Sequence, residues 1–294
     1  CSEFNGNLTN WRVNTVENMY GMFANCTKFE GLGLETWTTN TLIDVENIFL
    51  NCINFDADLT TWIIDNIDNM SHMFKGCEKF TGKGLENWIC DEVTTMNATF
   101  QQCSNFTGHT IIDWSMNKVS DLYMTFSDCT NFNCNVSYWN VSNVNIMEGT
   151  FQNCINFTGE GLETWDTSEV VTIQNMFMNC KNFNYNLDSW KYNLNNIRNM
   201  SETFSACTKF TGIGLENWDV RNVEDMRYMF NMCENLNINF EKWILIEIRF
   251  MEGMFNKCTI FEGKGLEKWA IDTNITNVED MFLECENITL PDWY

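Results

Sequence analysis

The chain has 294 residues, 17 Lys+Arg against 40 Asp+Glu, and a formal charge of −23. That length is far beyond the ~70 residues below which a core is hard to bury, and the charge argues against a basic face for nucleic acid or anionic membrane. At 44% apolar and 14% aromatic the chain is too hydrophobic to be a disordered acidic tail, yet no apolar run approaches the ~18 residues of a membrane span.

A repeat organises the whole chain, and repeats are sought before secondary structure. All twelve Trp fall at one repeat position, from Trp11 and Trp37 to Trp269 and Trp293, and nine of the eleven steps are 25 or 26 residues. The exceptions are 28 after Trp190 and 24 after Trp269. Counted from each Trp, an apolar residue stands at −3 in every unit (Leu8, Leu34, Ile111, Phe240), with mostly apolar or Thr positions at +2 (Val13, Ile64, Val141). Further apolar positions follow at +5 (Val16, Ile67) and +8 (Met19, Met70), then Phe at +12, Cys at +15 and a second Phe at +18. The unit reads L-x-x-W-x-V-x-x-V-x-x-M-x-x-M/T-F-x-x-C-x-x-F. Trp and +2 alternate, which predicts a short strand; the 3, 4, 3 spacing from +5 to +15 predicts a short helix or 3-10 turn. Asn18, Asn69, Asp121 and Asp225 at +7 are candidate caps of that turn.

From the second Phe to the next Leu each unit is a polar loop of two lengths. Short loops have the form of residues 183–187, F-N-x-N-L; long loops have the form of residues 80–86, 157–163 and 210–216, F-T-G-x-G-L-E. The two mostly alternate, giving a larger period of about 51 residues, with one slip where two long loops follow each other at Phe80 and Phe106. The G-x-G stretches lack a following Lys and a long helix, so a recurring turn with positive φ is preferred to a phosphate loop.

One such unit cannot close a core, but a stack can. The prediction is a single repeat solenoid over residues 1–294, a right-handed superhelix of about twelve rungs with short parallel strands ~4.8 Å apart. Cys1 is in repeat register, with Phe4 three residues later, so a start within a repeat, as part of a longer chain, is preferred to a lipidated Cys. Both ends of the array expose core positions and are expected to be covered, by further chain or by end-to-end contact with another subunit.

Twelve of the fourteen Cys belong to the +15 column, from Cys1 and Cys26 to Cys285; Cys90 and Cys134 lie outside it. No C-x-x-C occurs, so zinc is not expected; a ladder of buried reduced thiols is preferred to disulfides between rungs. The Met and Phe columns read as core. His72 and His109 have no partner at a ligand spacing, and no catalytic pairing is defensible, so no catalytic residue, cofactor or metal is assigned. Glu35, Glu86, Glu163, Glu216 and Glu267 form an acidic column two before Trp, read as a solvated face, with weak cation binding as the alternative. Among eleven N-x-S/T sequons the candidate glycosylation sites are Asn7, Asn69, Asn97, Asn135, Asn140, Asn199 and Asn274. The candidate binding face is the variable pair at +1 and +3: Arg12 and Asn14, Ile63 and Asp65, Ile89 and Asp91, Lys191 and Asn193, Asp219 and Arg221, Ile244 and Ile246.

The unit resembles the BspA-like repeats of bacterial, mycoplasma-type and protist surface proteins and of some large DNA viruses, best over residues 139–157 and 218–230. The resemblance covers essentially the whole chain. It implies a leucine-rich-repeat-like solenoid on a cell or virion surface or outside the cell. The implied role is non-enzymatic: adhesion, or binding of a protein or glycan, with neither nucleic-acid binding nor membrane insertion. A fibre or coat component built through the solenoid ends, and a scaffold within an enzyme, are the alternatives.

Overall fold

A computed structural model describes residues 1–272 and 276–294. Twelve rungs, numbered here by their Trp, stack along the chain in sequence order. Among the described residues nine parallel bridges join successive rungs, including Asn18 to Asp44, Thr95 to Asp121 and Asn199 to Asp225. Pairing is therefore at +7 and not at the Trp and +2 positions where the sequence predicts a strand. Among the described residues six short 3-10 turns lie at Leu34–Thr36, Leu85–Asn87, His109–Ile111, Leu162–Thr164, Asp188–Tyr192 and Leu266–Lys268, immediately before Trp in all but the third, which ends three residues before Trp114, and the fifth, which contains Trp190.

The segment from +7 to +15 shows why its periodicity is helical without a helix forming. N–H groups at +11, +13 and +15 donate back three residues within the rung, as Met22 to Met19, Ala24 to Gly21 and Cys26 to Phe23. Those at +8, +10, +12 and +14 donate to the following rung instead: Met19 to Asp44, Gly21 to Glu46, Phe23 to Ile48 and Asn25 to Leu50, all at 2.6–2.9 Å. The alternation requires left-handed backbone at +10 and +14. Among the described residues eighteen non-glycine residues adopt it there, or at the equivalent places displaced by insertions in rungs 8 and 11, including His72 (φ 55°), Met124 (49°) and Tyr228 (53°), with Gly21, Gly76, Gly149 and Gly253 in the remaining places. Left-handed backbone costs an L-residue roughly 1–2 kcal/mol, and strain of this kind persists where the surroundings over-determine it. Here the two flanking rungs do so. The +7 residues cap the segment as expected: Asn18, Asn69, Asp121 and Asp225 each accept the N–H two residues on.

Packing explains the residue types of the columns. The Phe, Met and −3 columns lie in one buried cluster, and rings repeat at rung spacing, as Phe23 on Phe49 at 5.7 Å and Trp37 on Trp62 at 6.0 Å. Each Trp from Trp37 to Trp293 also donates its indole N–H, at 2.8–3.4 Å, to the −3 carbonyl of the rung before. Each column thiol from Cys52 to Cys285 donates, at 2.8–3.1 Å, to the +12 Phe carbonyl of the rung before. All fourteen cysteines are free thiols. Where Leu236 replaces the second Phe, Phe240 replaces the −3 Leu and meets Phe255 and Phe261 edge-on, restoring the volume.

The long loops turn at positive φ, as the G-x-G reading expects: Gly159 is at 95° and Gly161 at 97°. The second glycine lies against the backbone of the rung before. A Cβ on Gly33, Gly84, Gly161 or Gly265 would stand 2.2–2.3 Å from a backbone nitrogen of a short-loop rung. The slip in the alternation supports this reason. Rung 5 follows another long loop, and there the second glycine is replaced by Thr110.

Candidate interaction surface

Around Trp37, Trp88, Trp165 and Trp269 the chain is extended, with Trp turned inward. Val13, Ile64, Cys90, Val141 and Val220 at +2 are buried, which brings Cys90 into the core outside its own column. The +1 and +3 side chains are then left outside. Arg12, Asn14, Ile63, Asp65, Ile89, Asp91, Arg221, Ile244 and Ile246 are exposed, with Ile89 at 54% and Ile246 at 62%. Asp219 is half-buried and paired with Arg221 in its own rung. Lys191 and Asn193 depart from the pattern. The two-residue insertion of rung 8 winds Asp188–Tyr192 into a 3-10 turn, which leaves both half-buried, puts Lys191 Nζ 2.6 Å from Asp188, and exposes Tyr192 instead. Two shallow depressions lie on this row, one between rungs 1 and 2 beside Arg12 and Asn14, the other between rungs 9 and 10 beside Asp219, Arg221 and Ile244.

The acidic column is more than a solvated edge. Glu35, Glu86 and Glu216 are at the surface, and each accepts the N–H of the second glycine of its own loop at 2.9–3.1 Å. Among the described residues no group of three His, Cys, Asp or Glu is placed to hold a metal ion. His72 is half-buried on the turn face, and His109 is exposed in the rung 5 loop. Burial holds the His72 pKa below its ordinary value, with Lys75 adding to the shift and Glu46 opposing it. Burial pushes the column thiols from Cys52 to Cys285 up, Cys52 from the ordinary 9.0 to about 12, and outside the column it raises Cys134 to about 12.

The sequons fall into two groups. Asn7 is exposed, and its side-chain oxygen accepts from the N–H and hydroxyl of Thr9. Asn69, Asn135, Asn140 and Asn199 spend their amide N–H on a neighbouring rung, donating to Glu46, Glu160, Asn117 and Gln174. Asn97 is half-buried, and Asn274 lies outside the described residues. Much of the Asn excess has this use: Asn51 donates to Asn25 and Asn179 to Asn153, along one column.

Parallel rungs joined in sequence order around inward-facing apolar columns define a repeat solenoid of leucine-rich-repeat type. The chain belongs to the family described as "Mycoplasma protein of unknown function, DUF285", whose profile matches residues 1–111, 94–211 and 191–293. Among solved structures it is similar to a leucine-rich cell surface protein from Faecalibacterium prausnitzii A2-165, with 12% identity over 86% of this chain and 77% of that one and a TM-score of 0.33. It is similar also to a leucine-rich-repeat protein from Bacteroides ovatus ATCC 8483, with 12% identity over 90% of this chain and 69% of that one and a TM-score of 0.35. No curated protein matches it in sequence. No helix among the described residues is long and apolar enough to cross a membrane.

Proposed function

We propose that this chain is a non-enzymatic interaction protein displayed outside the cell, which binds a protein or glycan through the row of +1 and +3 side chains. The observation that carries this reading is the division of labour within the rung. Trp, the −3 residue and +2 are committed to the core, while +1 and +3 face outward in register with varied chemistry. A solenoid sets such side chains side by side, so a broad partner is held by many small contacts. The exposed isoleucines at 63, 89, 244 and 246 are apolar points on an otherwise polar row and supply its anchors.

The test uses the full chain, labelled, against immobilised glycans and against cells in suspension. Ile63→Glu with Ile89→Glu, and Ile244→Glu with Ile246→Glu, are expected to reduce binding at least about tenfold, the effect of roughly 1.4 kcal/mol, with the thermal midpoint unchanged. No binding by the parent chain, or binding that survives both pairs of substitutions, would overturn the proposal.

A further inference from the structure

On the loop edge of the solenoid, away from the +1 and +3 row, one position changes size while its setting stays constant. Wherever a long-loop rung precedes a short-loop rung of full length, the residue five before the second rung's Trp faces the first glycine of the pair. A Cβ built on that glycine would lie 2.5 Å from Ala57 Cβ at Gly31, 2.7 Å from Cys134 Cβ at Gly108 and 2.7 Å from Tyr185 Cβ at Gly159. At Gly212 the neighbour is Ile238, with Cγ2 at 3.0 Å. The backbone arrangement is shared, and what lies beyond Cβ differs.

Tyr185 shows what the place accepts. Its ring is half-buried against the core edge. Its hydroxyl lies beside the Glu163 carboxylate, which is the main cause of a raised phenol pKa, and the Gly161 N–H is on hand as a donor to the phenol oxygen. In rung 3 the side chain stops at the Ala57 methyl, and a groove of about 420 Å³ remains, walled by Leu32, Glu30, Glu35, Asp56 and Lys79. That size lies within the ~300–1,000 Å³ range of small-molecule sites. Glu35, the counterpart of Glu163, spends one oxygen on the Gly33 N–H. Asp56 is engaged by Thr81 and Lys83. Leu32, 55% exposed, stands where rung 7 has Glu160, so the wall is more apolar here than around Tyr185.

We propose that the Ala57 groove binds a phenol, the side chain of a tyrosine exposed on a partner protein, in the place that Tyr185 fills from within the chain at rung 8. The ring lies on Gly31 and Ala57 against Leu32, and the hydroxyl donates to Glu35. Three carboxylates against two lysines around the groove disfavour a phosphorylated or sulfated tyrosine. This site is separate from the +1 and +3 row, so either assignment can fail while the other stands.

The full chain is titrated with p-cresol, and in parallel with toluene and p-tolyl phosphate, with binding followed by NMR shifts of the Ala57 and Leu32 methyl groups. Saturable binding of p-cresol at one site in the millimolar range is expected, as suits a ligand of eight heavy atoms on an open groove, with toluene and the phosphate each at least about fivefold weaker. Ala57→Tyr, which copies rung 8, is expected to abolish binding and to fold. Tyr185→Ala is expected to open a second p-cresol site. The proposal is overturned if the parent chain shows no saturable p-cresol binding, if toluene binds equally well, or if Ala57→Tyr binds as the parent does. A Tyr185→Ala protein that gains a site while the parent has none would show that Ala57 is not the phenol position.

Discussion

Replacing Trp139 by Phe tests whether the Trp column is chosen for its N–H as well as its bulk. Trp139 is 2% exposed and donates to the Ile111 carbonyl at 3.1 Å. That carbonyl also accepts the Trp114 N–H at 3.2 Å, so it keeps one partner when the indole is removed. The hydrogen-bond loss is therefore the net value of about 1 kcal/mol and not the larger cost of an orphaned buried group. Phenyl is smaller than indole; with roughly 40 Å² of buried apolar surface lost at ~25 cal/mol/Å², transfer adds about 1 kcal/mol, and incomplete collapse of the space adds to that. The expected total is about 2–3 kcal/mol, read from the urea midpoint followed by circular dichroism. Trp11→Phe is the internal control, because Trp11 is 49% exposed; its cost should stay under about 0.5 kcal/mol, as at other surface sites. Benzothienylalanine at position 139, which keeps the ring shape without a donor, should recover all but about 1 kcal/mol. Equal costs for Trp139→Phe and Trp11→Phe would refute the reasoning.

The thiol column gives a pH signature and a labelling pattern. Folded Cys52 has its pKa raised from 9.0 to about 12, so its contribution to stability is complete below pH 9 and is lost as pH rises towards 12; a urea midpoint that stays level across that window would contradict burial of the column. Exposed Cys1 should react first with a small thiol reagent in the native protein, half-buried Cys285 more slowly, and the buried thiols only on unfolding, as counted by mass. Backbone substitutions should act in opposite directions. Gly161→Ala, whose Cβ would stand 2.3 Å from Ser137 N at φ 97°, should cost at least about 3 kcal/mol, whereas Ala206→Gly at φ 59° should stabilise by about 0.5 kcal/mol; thermal midpoints that move in the same direction would rule this account out.

The inward columns, the +7 caps and the positive-φ glycines were legible because each acts within a few residues of its own sequence. What the sequence hides is whatever needs the neighbouring rung. The +5 to +15 spacing reads as helix or 3-10 turn, and its three-residue hydrogen bonds are indeed present, but half of the N–H groups leave for the next rung and no helix forms. The left-handed positions hold Asn25, Asn51 and Gly76, which is a recognisable signal, but also His72, Met124 and Tyr228, which is none. Trp and Cys can be seen to recur, yet the reason for those two residue types is a carbonyl in the rung before, 29 positions upstream in the case of Cys129 and Phe100. The outward row was readable from alternation except in rung 8, where an insertion turns Lys191 and Asn193 inward and no period survives to mark it. The significance of Ala57 appears only once Gly31 is known to lie across from it and Tyr185 is known to fill the equivalent place.

The fit of the second glycine against a short-loop backbone bears on how such a gene can change. A recombination that removes one short-loop rung, or adds one long-loop rung, brings two long loops together, and a glycine pair then meets a partner it was not shaped for. Rung 5 is such a junction, and it carries a different residue, Thr110, at the contact. Gain or loss of two rungs, about 51 residues, leaves every contact type as it was. Array length is thereby quantised in pairs. Related chains should differ in copy number by even steps, and odd steps should carry a compensating substitution at the second glycine.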